Sequence, residues 1–183
     1  LPGRLTYWKG QKLFIETVRI LKQQENIQPF ECLILGSDQG RNVYKKQLLG
    51  LVEQYRLGKN IKFISHYSEM PVAYAIANVV CSCSIEPEAF GRVSVEAQSM
   101  EIPIIASNIG GSTETIINDK TGFLFKSNDA NSLANTIMTF MQKDYNSIKL
   151  MGAEGRKNVL KKFDVDKMCN STFTEYKKLI ELS

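Results

Sequence analysis

Histidine and tryptophan occur once each, proline five times and cysteine four times in 183 residues, and each scarcity removes a class of protein. Cys32, Cys81, Cys83 and Cys169 show no CxxC spacing, and a lone histidine offers no further ligand for a zinc site around them. They lie within or beside apolar stretches and read as reduced core thiols of a cytoplasmic protein. No apolar run comes near the roughly 20 residues that a membrane span needs. The start of the chain lacks the basic stretch and apolar core of a secretory signal. A net charge of +4 is scattered among mixed Lys, Arg, Asp and Glu rather than gathered in a block, which argues against nucleic acid as a partner. Internal repeats, low-complexity tracts and linkers are also missing, so residues 1–183 read as one domain.

What is present has the balance of a folding chain, with 43% hydrophobic and 23% charged residues. Residues 12–24 carry Leu13, Phe14, Thr17, Val18 and Leu21 on one helical face. The buried-type strand Cys32 to Leu35 follows and ends in Gly36. Tyr44, Leu48, Leu51, Val52 and Tyr55 mark a second helix, closed by Gly58 and followed by a short strand from Ile61 to Ile64. The alternation continues with a helix near 71–77, a strand over 79–83, a helix near 91–100 and strands over 103–106 and 122–125. Asp129 is placed to cap a helix bearing Leu133, Ile137, Phe140 and Met141. Further helices are expected near 147–161 and 166–182.

Strands apolar throughout, separated by helices of about ten residues, are what a parallel sheet covered on both faces requires. The expected fold is therefore a doubly wound, Rossmann-like α/β domain with extra helices at its C-terminal end. Leu1-Pro2-Gly3 looks like the tail of a strand whose body precedes residue 1.

In such a sheet ligands bind beyond the carboxyl ends of the strands. Three loops there are unusual. The turn Gly3-Arg4-Leu5-Thr6-Tyr7-Trp8-Lys9-Gly10 places two cations before a helix N-terminus, where guanidinium, ammonium and free backbone N–H groups together suit a diphosphate, or where the two cations are simply solvated at the surface. The loop from Ile85 through Glu86, Pro87, Glu88, Ala89, Phe90 and Gly91 leads into a helix carrying Arg92, Val95 and Glu96. Its glycine lets backbone approach an anion, and its carboxylates suit sugar hydroxyls or, equally, helix capping and solvent. The third loop, Ser107-Asn108-Ile109-Gly110-Gly111-Ser112-Thr113-Glu114, fits an anion nest or an ordinary turn.

Together these loops resemble the C-terminal domain of glycosyltransferase family 4, whose GT-B fold has two facing Rossmann-like domains. Glu88 and Glu96 enclose the seven residues 89–95 of the family's glutamate pair, around its Phe-Gly, whereas Glu86 and Glu96 enclose nine. Gly3-Arg4-Leu5 through Lys9-Gly10 is similar to its basic turn, Gly110-Gly111 with Glu114 to its glycine loop, and Thr121-Gly122-Phe123-Leu124 also matches. The likeness covers Gly3 to about Leu133.

The resemblance implies a retaining glycosyltransferase. Arg4 and Lys9 would hold the donor diphosphate and, with Glu88 facing the transferred sugar, form the catalytic set. Phe90, Gly91, Arg92 and Val95 would line the donor, Glu96 would take the ribose hydroxyls, and His66, in Phe63-Ile64-Ser65-His66-Tyr67, would lie near the base. The partners implied are a nucleotide-diphosphate sugar and, through an N-terminal domain expected before residue 1, an acceptor glycan or lipid-linked sugar. The full-length enzyme is expected in the cytoplasm, peripheral to a membrane if its acceptor is lipid-linked, and this chain alone should bind donor without turnover. No cofactor or metal is expected, because the site reading finds neither a His-rich group nor an Asp-x-Asp cluster. A dehydrogenase-type domain is disfavoured by the missing GxGxxG. A non-catalytic nucleotide- or partner-binding module, a phosphorylase and an epimerase remain alternatives on the same fold.

Overall fold

The apolar runs become strands and the amphipathic stretches become helices in the computed structural model, which describes residues 1–40, 42–65 and 67–181. In chain order the elements are α1 (Gln11–Lys22), β1 (Cys32–Leu35), α2 (Asn42–Gln54), β2 (Ile61–Ile64), α3 (Met70–Ala75), β3 (Val80–Ser82), α4 (Arg92–Ser99), β4 (Ile104–Ser107), α5 (Ser112–Thr115), β5 (Gly122–Phe125), α6 (Ala130–Met141), α7 (Tyr145–Lys162) and α8 (Val165–Glu181). A short 3-10 turn, Tyr7–Lys9, precedes α1.

All strand pairs are parallel. β1 runs beside β2 with Cys32 opposite Ile61, and β4 lies between β3 and β5 with Ile104 opposite both Val80 and Gly122. Residues 1–3 pair with β1. Leu35 N–H donates to Leu1 O at 3.0 Å and Gly3 N–H to Leu35 O at 2.8 Å, while the buried Leu1 amino group lies among the thiols of Cys32, Cys81 and Cys83. The expected strand character of Leu1-Pro2-Gly3 is thus met in a parallel bridge to Leu35.

Alternation along β4 shows why both faces of the sheet need helices. Ile105 joins a cluster with Leu13, Val18, Phe125 and Leu133, under α1 and α6, whereas Ile104 and Ala106 join one with Tyr74, Ala97 and Ile116, under α3 and α4. Every residue of β4 is buried, which is the doubly covered pattern expected from its apolar run. Side-chain caps hold two later helices: Asp129 accepts from Ser132 N–H at 2.9 Å and Asp144 from Ser147 N–H at 3.0 Å.

Three expectations are corrected. α2 is closed by Arg56, which adopts φ of 54° and lets Leu57 N–H reach back to Val52 O at 2.8 Å, so Gly58 is not the reversing residue. Cys169 is exposed on α8, a helix with no buried residue, and is not a core thiol like Cys81 and Cys83. The sequence also holds one Asp-x-Asp, Asp164-Val165-Asp166. It lies outside the strand-ending loops and starts α8, with Asp164 O accepting from Met168 N–H at 3.1 Å.

Candidate functional site

The basic turn is pinned to the carboxyl ends of two strands. Leu5 N–H donates to Ser37 O at 3.0 Å beyond β1, and Ile85 N–H donates to Trp8 O at 2.8 Å beyond β3. Gly10 ends the turn at φ 70°, and a Cβ there would stand 1.8 Å from Cys83 O, so both conformation and clearance demand glycine. Buried Gln11 donates to Arg4 O at 2.7 Å, fixing the backbone of the turn, while the Arg4 side chain is exposed and makes no ion pair among the described residues.

Lys9 and Glu88 meet. The ammonium lies 2.8 Å from Glu88 Oε1, with each side chain only 15% exposed, and 4.3 Å above the Trp8 ring. Buried Ser84, just past β3, donates its hydroxyl to the same carboxylate oxygen. Glu88 therefore does not cap α4. Its partners hold it across the space between the first and second loops, one carboxylate shared by a cation and a hydroxyl.

Backbone geometry explains the glycine pair of the third loop. Gly111 N–H donates to Glu88 O at 2.7 Å; a Cβ on Gly110 would stand 2.6 Å from Glu88 O, and one on Gly111 2.4 Å from the Phe90 carbonyl carbon. The pair gives the neighbouring loop close backbone support, a role distinct from the anion nest and the ordinary turn that the sequence suggests. Gly91 precedes α4 at φ 77°, and its carbonyl accepts from Ser94 N–H at 3.0 Å, leaving Arg92 and Val93 N–H groups at the open end of the helix.

Glu96, one turn further along α4, is engaged at both oxygens. Arg92 Nη2 lies 2.9 Å from Oε1, and Tyr74 OH donates to Oε2 at 2.7 Å. Burial, reinforced by the hydrogen bond to Glu96, pushes the Tyr74 phenol well above its usual range, so it remains a donor. Arg92 itself is 83% exposed and Val95 half-buried.

The two glutamates thus face different partners within the chain. Phe90 is 45% exposed at the lip of the loop. His66, expected near a base, lies outside the described residues. Sequence reasoning missed Ser84, Trp8 and Tyr74. Ser84 could have been found as a hydroxyl ending an apolar strand, but nothing local marks Tyr74, which reaches Glu96 from α3. An open groove lined by Asn118, Phe123, Lys126, Asp129 and Ser132 touches none of the predicted site residues.

The chain as a whole is similar to known proteins. The capsular polysaccharide biosynthesis glycosyltransferase CapM of Staphylococcus aureus is 29% identical over 163 residues, which are 88% of this chain and 40% of that protein. A solved glycosyltransferase from Rickettsia africae superposes with a TM-score of 0.87 at 32% identity over 100% of this chain and 47% of that one. The Anabaena protein HepE, solved in complex with UDP and glucose, does so with a TM-score of 0.85 at 27% identity, covering 96% and 46%. The chain therefore spans less than half the length of these proteins. Among the described residues no helix is long and apolar enough to cross a membrane. Residues 1–158 match the glycosyl transferases group 1 family, and with its parallel sheets corresponding to the C-terminal, Rossmann-like half of GT-B glycosyltransferases, the chain belongs to that family.

Proposed function

We propose that this chain is the donor-binding half of a retaining glycosyltransferase that moves a sugar from a nucleoside diphosphate to an acceptor hydroxyl. The observation that carries the reading is the Lys9–Glu88 pair. A cation for a diphosphate and a carboxylate for a sugar are held 2.8 Å apart where the basic turn meets the loop into α4. The narrower membership, family 4, rests on the spacing from Glu88 to Glu96.

In the proposed complex Arg4 and Lys9 bind the diphosphate, helped by the Arg92 and Val93 N–H groups at the open end of α4. Phe90 and Gly91 lie along the donor, with Val95 behind them. Glu96 takes the ribose hydroxyls while Arg92, being exposed, moves aside. UDP is the first nucleotide to test, because HepE, to which the chain is similar, was solved with it.

As the bond from the anomeric carbon to the diphosphate oxygen breaks, its electrons go to the leaving group. Fixed cations and N–H donors stabilise that charge more in the transition state than in the ground state. The acceptor oxygen then bonds to the anomeric carbon and passes its proton to the departing diphosphate oxygen. Glu88, facing the sugar, offers its carboxylate to hydroxyls or to developing positive charge. Leaving-group stabilisation by Arg4 and Lys9 is proposed to need no metal. The acceptor, a glycan or lipid-linked sugar, is assigned to a domain outside residues 1–183, in keeping with the chain's share of its relatives' length. The setting proposed is the cytoplasm, with membrane contact through those other parts.

Calorimetric titration with UDP-, GDP- and ADP-sugars, with NAD as control, tests the proposal. Saturable binding of one donor, kept in EDTA and weakened by Arg4→Ala by about 1–3 kcal/mol, is expected. Binding of NAD alone, or of no nucleotide sugar, overturns it.

A further inference from the structure

The loop over residues 85–91 is braced mostly by its neighbours at the carboxyl ends of the strands: Lys9 and Ser84 hold Glu88, and Gly110 and Gly111 support the backbone from Glu88 to Phe90. One brace comes from elsewhere. The ring of Phe90 meets the ring of Phe163 edge to face, with centroids 5.6 Å apart and planes at 75°. Phe163 is half-buried and closes α7, its N–H donating to Val159 O at 2.8 Å.

The end of α7 is a firm post because the helix is locked onto α4. A Cβ on Gly152 would stand 2.0 Å from Glu101 O, so backbone meets backbone there. Buried Asn158 donates to Thr115 O at 3.1 Å, and Gln98 of α4 donates to the same oxygen at 3.0 Å. Without Phe163, the Phe90 ring, already 45% exposed, would lose this contact and gain side-chain freedom.

We propose that Phe163 is a positioning residue for the nucleotide-sugar site: by clamping the Phe90 ring it holds the Phe90–Gly91 backbone where the open end of α4 receives the donor. This rests on the donor-binding reading given above. Phe163 does not itself touch the donor; it lowers the ordering that donor binding would otherwise require of the loop.

The test compares wild type with Phe163→Ala, Phe163→Tyr, Phe90→Ala and the double variant Phe90→Ala/Phe163→Ala. Donor affinity is read by calorimetry and amide hydrogen exchange over residues 85–91 by mass spectrometry. Phe163→Ala is expected to speed exchange in that segment and weaken UDP-sugar binding about 2- to 12-fold, the range of an aromatic pair of ordinary strength. Phe163→Tyr should restore both, and Phe163→Ala should add nothing in the Phe90→Ala background. Unchanged exchange in Phe163→Ala overturns the inference even if no donor binds wild type, an outcome that by itself counts only against the proposed function. Faster exchange with unchanged donor affinity also overturns it, since the contact would then be structural alone.

Discussion

Removing the charge of Lys9 while keeping its stem, as Lys9→Met does, takes away both its pairing with Glu88 and its proposed contact with the donor diphosphate. Its ammonium lies 2.8 Å from Glu88 and both side chains are 15% exposed, so the pair is largely shielded from water. Loss of a charged hydrogen bond to the donor diphosphate should weaken binding by about 1.5–3 kcal/mol, roughly 10- to 160-fold. The same change strands the Glu88 carboxylate with Ser84 as its remaining partner and should lower Tm by about 2–4 °C per kcal/mol lost in a chain of this size. Glu88→Gln works in the opposite direction on donor binding. It removes the anion that occupies Lys9 and repels the diphosphate, and should tighten the donor by about 1 kcal/mol, roughly fivefold, while abolishing turnover in the full-length enzyme. Calorimetry on this chain measures both. If Lys9→Met binds donor as wild type does, or if Glu88→Gln loses affinity as Lys9→Met is expected to, then Lys9 does not serve the diphosphate in competition with Glu88.

Gly111→Ala, whose Cβ would stand 2.4 Å from the Phe90 carbonyl carbon, should displace the second loop and weaken donor binding more than it lowers Tm; equal affinity in the variant refutes the bracing role of the glycine pair. Asp129 and Asp144 are held below their ordinary value of 3.8, Asp129 chiefly by Ser132 N–H and Asp144 chiefly by the Ser147 hydroxyl. Folded-state values below the unfolded ones mean stability present above about pH 4 and lost as pH falls through the lowered values, so Tm should drop in that acid window and drop less in Asp144→Asn. A thiol reagent at neutral pH should modify exposed Cys169 quickly. Buried Cys81, pushed up to about 11, should react only on unfolding, and half-buried Cys32, pushed up to about 12 chiefly by burial of its thiol, more slowly than Cys169; rapid modification of Cys81 would contradict its buried environment.

Much of this protein was legible in its sequence because the signals are local. The apolar run Ile104-Ile105-Ala106 declares a strand covered on both faces, Asp129 declares a helix start, and the spacing of Glu88 and Glu96 around Phe90-Gly91 carries the family resemblance that marks the candidate site loop. Where local rules competed, they misled. Gly58 looked like the natural helix stop, yet Arg56 takes the left-handed conformation because Leu57, fully buried, must turn back onto the core. Cys169 sits in an amphipathic pattern like that of a core helix, but α8 lays no residue into this domain, and periodicity cannot say what a face packs against.

The site divides in the same way. Sequence alone determined that Arg4, Lys9, Glu88 and Glu96 stand in loops or helix starts at one end of a parallel sheet, since strand direction fixes where those loops emerge. Only the tertiary structure decided which groups meet. Lys9 is 79 positions from Glu88 in the chain, and Tyr74 and Glu96 come from different helices. Such pairings depend on how the elements pack across the sheet and on backbone clearances such as that of Gly111 against Phe90, distances that no local sequence pattern encodes.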